Sequence, residues 1–328
     1  MTAAYETIPL ACKKTSPLLH MFEETGRFHR VPVGFGPAPT PRQGPDGKPF
    51  AHWEDSEMHT TGVVFNVGRQ SIQDLLPQGY EVDPDCKQPT VLFEVMNLRK
   101  LPWLAGRGYN TWGVYANNVI CRRVSPPVKA SYMLVLFESF TDPISTGREE
   151  LGFCKVWAEM PDPKIENGNL VHTAASVCII RSRGLEADSE KSWFGAEFLR
   201  LEIPELSFKS AEEAPAFSPR RYTMPSVEGI LHHRYVPAVG TPGQHDASYA
   251  TFMPGLGTKK PTIRNFGTTG RPLSETRLTV SKHPWESLPT LWNIVDGLAA
   301  LDLGQVVEVY YQVQTPASDC NSNRRIEY

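Results

Sequence analysis

No apolar stretch in the 328 residues approaches the ~20 that a membrane-spanning helix requires. The opening "MTAAYETIPLACKKTSPLLH" also lacks a basic region followed by a hydrophobic core, so neither a span nor a signal peptide is expected. Basic excess is missing too. The chain has 33 Lys and Arg against 36 Asp and Glu, a formal net charge of -3, and no long block of like charge. Nucleic acid recognition needs clustered cations, so neither nucleic acid nor a membrane is an expected partner. The six cysteines include no C-x-x-C pair, and no N-x-S/T sequon occurs. That combination reads as reduced thiols in a soluble, cytoplasmic chain.

Common site motifs are absent as well. There is no H-E-x-x-H, no G-x-S-x-G and no Rossmann fingerprint, which removes the commonest hydrolase and nicotinamide readings. "GLGTKK", Gly255 to Lys260, has the wrong spacing for a phosphate loop, and Pro261 stands where its helix would begin. His232 and His233 are adjacent, so in a strand one faces in and one out, and they cannot chelate one metal. No metal or organic cofactor is expected. No internal repeat appears.

What is present suits a globular core: 40% hydrophobic residues, 10% of all residues being aromatic. Residues 31–50, "VPVGFGPAPTPRQGPDGKPF", are dense in Pro and Gly and read as an irregular arm within residues 1–60. From Val63 onward the chain reads as strands: "GVVFNV", "TVLFEVMNL", "YMLVLFESF", "HTAASVCIIRS", "WFGAEFLRLEI" and, later, "QVVEVYYQV". Two helices are predicted. One opens at Ser71 with Asp74 as the partner of a capping box and stops at Pro77; the other runs from about Ser287 to Leu301. The fold class is mostly β (α+β), with a main domain over 61–316 and a tail over 317–328.

One stretch carries chemistry. "TGREELGFCKVWAEM", Thr146 to Met160, places Lys155 inside an apolar run. In a strand, Phe153, Lys155 and Trp157 share a face, and burial there would pull the amine from its reference pKa of roughly 10.4 toward neutrality, leaving a nucleophile. The plainer reading is an edge-strand lysine that discourages aggregation.

"GREELGFCK" resembles the G-R-E-x-x-x-x-P-K signature of the acetoacetate decarboxylase family, whose lysine forms a Schiff base with a ketone. "LLPQGYEVDPDCKQPTVLFEVM", "VKASYMLVLFESFTDPISTGRE" and "SETRLTVSKHPWESLPTLWNIVDGLAALDLGQVVEVYYQ" are similar to family segments in the same order, so the resemblance spans roughly Val63 to Gln312. It implies a β-barrel or cone with few helices around an apolar pocket, Lys155 as the nucleophile and an oligomeric assembly. It also implies Glu94 of "LFEVM" as a pocket carboxylate that moves protons.

The chain departs from the family pattern at three places. A second lysine would follow the first, but residue 156 is valine. The glutamate of a Y-x-E segment becomes Asn117 of "VYANN", or Ala116 if the gap moves. The substrate-carboxylate arginine falls near Thr60–Gly62, where none stands, with His59 nearby. Candidate substrate-binding residues are therefore Asn117, Tyr115, Trp112, Arg148, Phe153 and Trp157, with Arg148 and Glu149 also suited to bracing the strand. The expected function is a Schiff-base-forming lyase or cyclase acting on a small-molecule ketone or aldehyde, polyketide-like in character and suited to specialised metabolism. The alternatives are a non-covalent cyclase or binding protein using the pocket for shape, and a true β-keto acid decarboxylase.

Overall fold

Side chains alternate across a strand, so the apolar pattern of each segment decides which face of a sheet it covers. The computed structural model describes residues 27–32, 35, 37–179, 193–204, 206–210, 229–255, 263–269, 272–317 and 322–327. Its strands are β1 (Glu57–Val67), β2 (Tyr80–Val82), β3 (Thr90–Arg99), β4 (Tyr109–Cys121), β5 (Val128–Glu138), β6 (Lys155–Trp157), β7 (Lys164–Glu166) and β8 (Asn169–Ile179). They continue as β9 (Trp193–Pro204), β10 (Leu206–Ser210), β11 (Gly229–Pro237), β12 (His245–Pro254), β13 (Ile263–Thr269), β14 (Arg277–Val280), β15 (Leu303–Gln314) and β16 (Arg324–Arg325). The α-helices among the described residues are α1 (Arg69–Gln73), α2 (Thr141–Glu149) and α3 (Trp292–Ala299).

Twelve strands form one sheet in the order β10-β13-β15-β1-β3-β4-β5-β11-β12-β16, with β2 added to β4 and β6 to β5. A second sheet runs β14-β9-β8-β7. The mostly β expectation holds. Among the described residues the large sheet does not close into a barrel: its order ends at β10 on one side and at the two-residue β16 on the other, and these do not pair.

In β1, Val63, Phe65 and Val67 point to one face and Thr60, Gly62 and Val64 to the other. The first set joins Phe93, Trp112, Val114 and Phe137 in the main core. Phe198 and Leu201 of the second sheet and Val295 and Leu298 of α3 pack onto that same core. Each such side chain contributes roughly 1.5–3 kcal/mol by leaving water. The opposite face carries two smaller clusters. Val64, Leu92, Tyr115, Leu136, Phe153 and Tyr310 form one, and Met58, Leu98, Leu101 and Leu104, with Tyr109 and Phe140 against them, form the other.

Several elements differ from the sequence reading. Helix α1 begins at Arg69 with Gly68 as its cap residue, and the Ser71 hydroxyl donates to the Gly68 carbonyl at 2.9 Å, so the expected capping box does not form. Turns occupy the chain up to Leu291, and α3 starts only at Trp292. Strand β4 lies at the centre of the large sheet, yet "YNTWGVYANNVIC" mixes amides and glycine with apolar residues and hides its period. Helix α2 is built from "TDPISTGRE", poor helix formers whose proline is tolerated because it falls in the first turn.

The arm and tail are tied down where they are described. The Gln43 amide bonds Phe28 and Ala38, and β16 pairs with β12 while Glu327 holds Arg123 through two 2.7 Å contacts. Cys86, Cys121 and Cys154 are free thiols. "GLGTKK" lies, from Leu256 on, outside the described residues. Among them, no helix is long and apolar enough to cross a membrane.

Candidate active site

The strand registers align six residues across the large sheet. Tyr310 of β15 faces Gly62 of β1, Gly62 faces Glu94 of β3, and Glu94 faces Gly113 of β4. Gly113 faces Leu136 of β5, and Leu136 faces Lys155 of β6. Paired residues share a face, so this row lies on the side away from the main core. A second row beside it runs Gln312, Thr60, Met96, Thr111, Glu138 and Trp157. The two rows form a polar band between the two small apolar clusters.

Lys155 is 5% exposed. Its Nζ lies 2.8 Å from Glu138 Oε1, donates to the Pro143 carbonyl at 3.1 Å and sits 5.7 Å from the centroid of the Phe153 ring. The local sequence explains this placement. Gly152, at φ +73°, turns the chain out of α2 toward β6. Gly147 of α2 lies directly against the lysine: a β-carbon there would stand 2.4 Å from its Cδ and Cε. The strand is shorter than the sequence suggested. It begins at Lys155, so Phe153 reaches the amine from the preceding loop and not by strand alternation. Val156 faces the opposite way, against the main core.

Glu138 is 1% exposed, and its Oε2 has no hydrogen-bond partner. Burial pushes its carboxyl above the usual carboxylate range even though Lys155 beside it pulls the other way. Nothing in the sequence reading singled this residue out. The available signal was one carboxylate ending the apolar run "SYMLVLFES", two residues beyond the partner of the lysine. Glu94 lies farther off. Three strand spacings separate it from Lys155 in the row, about 14 Å between backbones, and it accepts a short 2.5 Å hydrogen bond from Tyr310. The two glycines of the row make room for rings: a β-carbon at Gly62 would overlap the Tyr310 ring, and one at Gly113 would fall 2.5 Å from the Tyr115 hydroxyl.

The remaining candidates divide. Tyr115 and Phe153 lie in the apolar cluster beside Lys155, and Trp157 is half-buried opposite Glu138. Trp112 points to the other face, into the main core. Asn117 sits at a bulge four residues beyond Gly113, where it donates to Thr90 Oγ1 and accepts from Ser131 Oγ. Its polar needs are met there, away from the lysine. Arg148 is exposed and donates to the Lys155 carbonyl at 3.0 Å, which braces the strand without touching the amine. His59 bonds Tyr311 and Glu57, and Thr60 and Gly62 are the uncharged residues of β1 that face the band.

The sequence model of the acetoacetate decarboxylase family matches residues 31–247, more than half of the chain. The chain belongs to the acetoacetate decarboxylase family. The match begins inside the Pro/Gly-rich arm, upstream of the Val63 start read from the quoted segments. The family is one of lyase-type enzymes, and this chain is a member of it. A solved acetoacetate decarboxylase structure aligns at 13% identity over 83% of this chain and 89% of the other, with a TM-score of 0.52, a likeness of fold. The acetoacetate decarboxylase of Legionella pneumophila aligns at 13% identity over 79% and 83% of the two chains (TM-score 0.49). The enduracididine biosynthesis enzyme MppR complexed with pyruvate aligns at 11% over 83% and 89% (TM-score 0.48). No curated protein sequence matches the chain significantly.

Proposed function

We propose that the chain is a Schiff-base-forming lyase acting on a neutral ketone or aldehyde, with Lys155 as nucleophile and Glu138 as its proton partner. The observation that carries this reading is the buried Lys155–Glu138 pair, 2.8 Å apart. An ammonium is no nucleophile, and its proton must go somewhere before the nitrogen can attack. Glu138, with its proton affinity raised by burial, is the adjacent acceptor. Proton transfer leaves a neutral amine to add to the substrate carbonyl. Loss of water then gives an iminium whose positive charge stands where the ammonium stood, still beside Glu138. That iminium withdraws electrons from the neighbouring carbon and serves as the electron sink.

The charge balance of the band favours a neutral substrate. Where the family resemblance calls for a carboxylate-binding arginine, β1 presents Thr60 and Gly62. Glu138 adds negative charge beside the lysine. Among the described residues of the two rows Lys155 is the one cation, so a substrate carboxylate brought there would lack a cationic partner of its own, at a cost of ~3–5 kcal/mol.

A second reading draws on the same contacts. Nζ is held by both Glu138 and the Pro143 carbonyl, and a lysine so fixed would serve as a donor to a ligand bound by shape alone. Intact mass after incubation with a neutral methyl ketone and borohydride separates the two. A reduced adduct that disappears in Lys155→Arg supports covalent chemistry. Turnover by a folded Lys155→Arg protein would overturn it.

A further inference from the structure

Three buried polar atoms in the second row have no partner: Thr60 Oγ1, Thr111 Oγ1 and Glu138 Oε2. Thr60 and Thr111 are each 2% exposed. Thr111 stands directly opposite Glu138 across β4 and β5, so the two side chains rise from neighbouring positions on one face of the sheet, and neither open oxygen is bonded to the other. Buried polar groups are normally satisfied, and a pair left open next to a reactive amine is shaped for something that arrives.

Building on the Schiff-base reading, we propose that Thr111 and Glu138 form a subsite for the β-oxygen of a neutral β-hydroxy ketone, and that the reaction is its retro-aldol cleavage or the reverse addition. The geometry is local. Once Lys155 nitrogen has become an iminium, a hydroxyl on the β-carbon folds back toward that nitrogen through the six-atom array N–C–C–C–O–H. This brings the hydroxyl to the carboxylate lying 2.8 Å from the same nitrogen. Thr111 hydrogen-bonds the oxygen and fixes its direction.

The step balances without any added reagent. Glu138 takes the hydroxyl proton, and the O–H electron pair forms the new C=O. The bond between the α- and β-carbons breaks, and its electrons move into the iminium to give an enamine and a free aldehyde or ketone. Glu138 returns the proton to the α-carbon. Hydrolysis of the restored iminium consumes the water released when it formed and frees the second carbonyl product and Lys155. A carboxylate in the β-position would instead meet the Glu138 anion.

The test uses the full-length protein with 4-hydroxy-4-methylpentan-2-one, which would yield two molecules of acetone, beside 4-methylpentan-2-one, which lacks the hydroxyl. Both ketones should be trapped on Lys155 by borohydride, and acetone should be released from the first. Thr111→Val should weaken apparent binding of the hydroxy ketone by about tenfold or more while leaving trapping of the plain ketone unchanged, and Thr111→Ser should restore it. Equal effects of Thr111→Val on both ketones, or none on either, would overturn the subsite and leave the Schiff base standing. Failure to trap either ketone would instead sink the Schiff-base reading, and the subsite that rests on it.

Discussion

At the scale of single residues, the Lys155–Glu138 pair concentrates the chemistry. Glu138→Gln keeps the shape and an acceptor oxygen but removes the proton acceptor, so imine formation should slow by about 10²–10⁴-fold, the usual value of a positioned acid–base group. The rate of borohydride trapping measures this, and an unchanged rate would remove Glu138 from the mechanism. Gly147→Ala offers a complementary test. Alanine favours a helix interior by roughly 1 kcal/mol over glycine, yet its β-carbon would press on the lysine stem. The variant should remain folded by circular dichroism while trapping falls, which separates site geometry from stability. Lys155 was legible in the sequence because a lone cation in an apolar run attracts notice. Glu138 was not, because a carboxylate at a strand end looks like any solvated terminus until the parallel pairing of β5 with β6 brings it to the amine. Trp112 and Asn117 failed to reach the lysine for a matching reason: facing and register come from strand pairing, and the bulge at Asn117 cannot be read from composition.

At the scale of elements, six of the sixteen described strands were legible, since β1, β3, β5, β8, β9 and β15 carry strong β-branched and aromatic runs, whereas the shorter strands do not. Helix α2 was hidden by its proline, glycine and threonines, and β4 by its amides. The C-terminal strand β16 has a role its length conceals. Just before it, Asn323 donates to the Leu151 carbonyl and to His232 Nε2, and the His232 ring stacks on Phe153 at 4.9 Å between centroids. The segment that leads into Lys155 is thus clamped by the far end of the chain. Asn323→Ala should leave the Leu151 carbonyl short of a donor, while His232 Nε2 keeps its partner Thr251, and cost about 1–3 kcal/mol of stability in denaturant unfolding. A loss below a few tenths would mean the clamp is incidental.

The whole molecule should be sensitive to acid. Burial holds His232 down at about 3 and His172 at about 4, against 6.5 for an unfolded histidine. Both are therefore neutral in the fold while the unfolded chain binds a proton at each below pH 6.5. Stability then rises with pH between about 4 and 6.5, by at most ~1.4 kcal/mol per pH unit for each histidine, and levels off above. Unfolding at a series of pH values should show that slope, and His232→Gln should reduce it. The charge pattern sets a second expectation at this scale. Carbon dioxide release from acetoacetate should stay near background while neutral ketones are trapped, and brisk gas evolution would point to a cation not assigned in the band.

The polar band and the main core occupy opposite faces of one sheet, and they share strands but few side chains. Neighbouring residues along β1, β3, β4 and β5 therefore answer to different demands, odd positions to packing and even positions to the reaction, or the reverse. Substitutions in the band can change charge, size or hydrogen bonding without opening a void in the core. A lineage built on this sheet can explore new substrates through a handful of alternate positions while its folding free energy stays nearly constant.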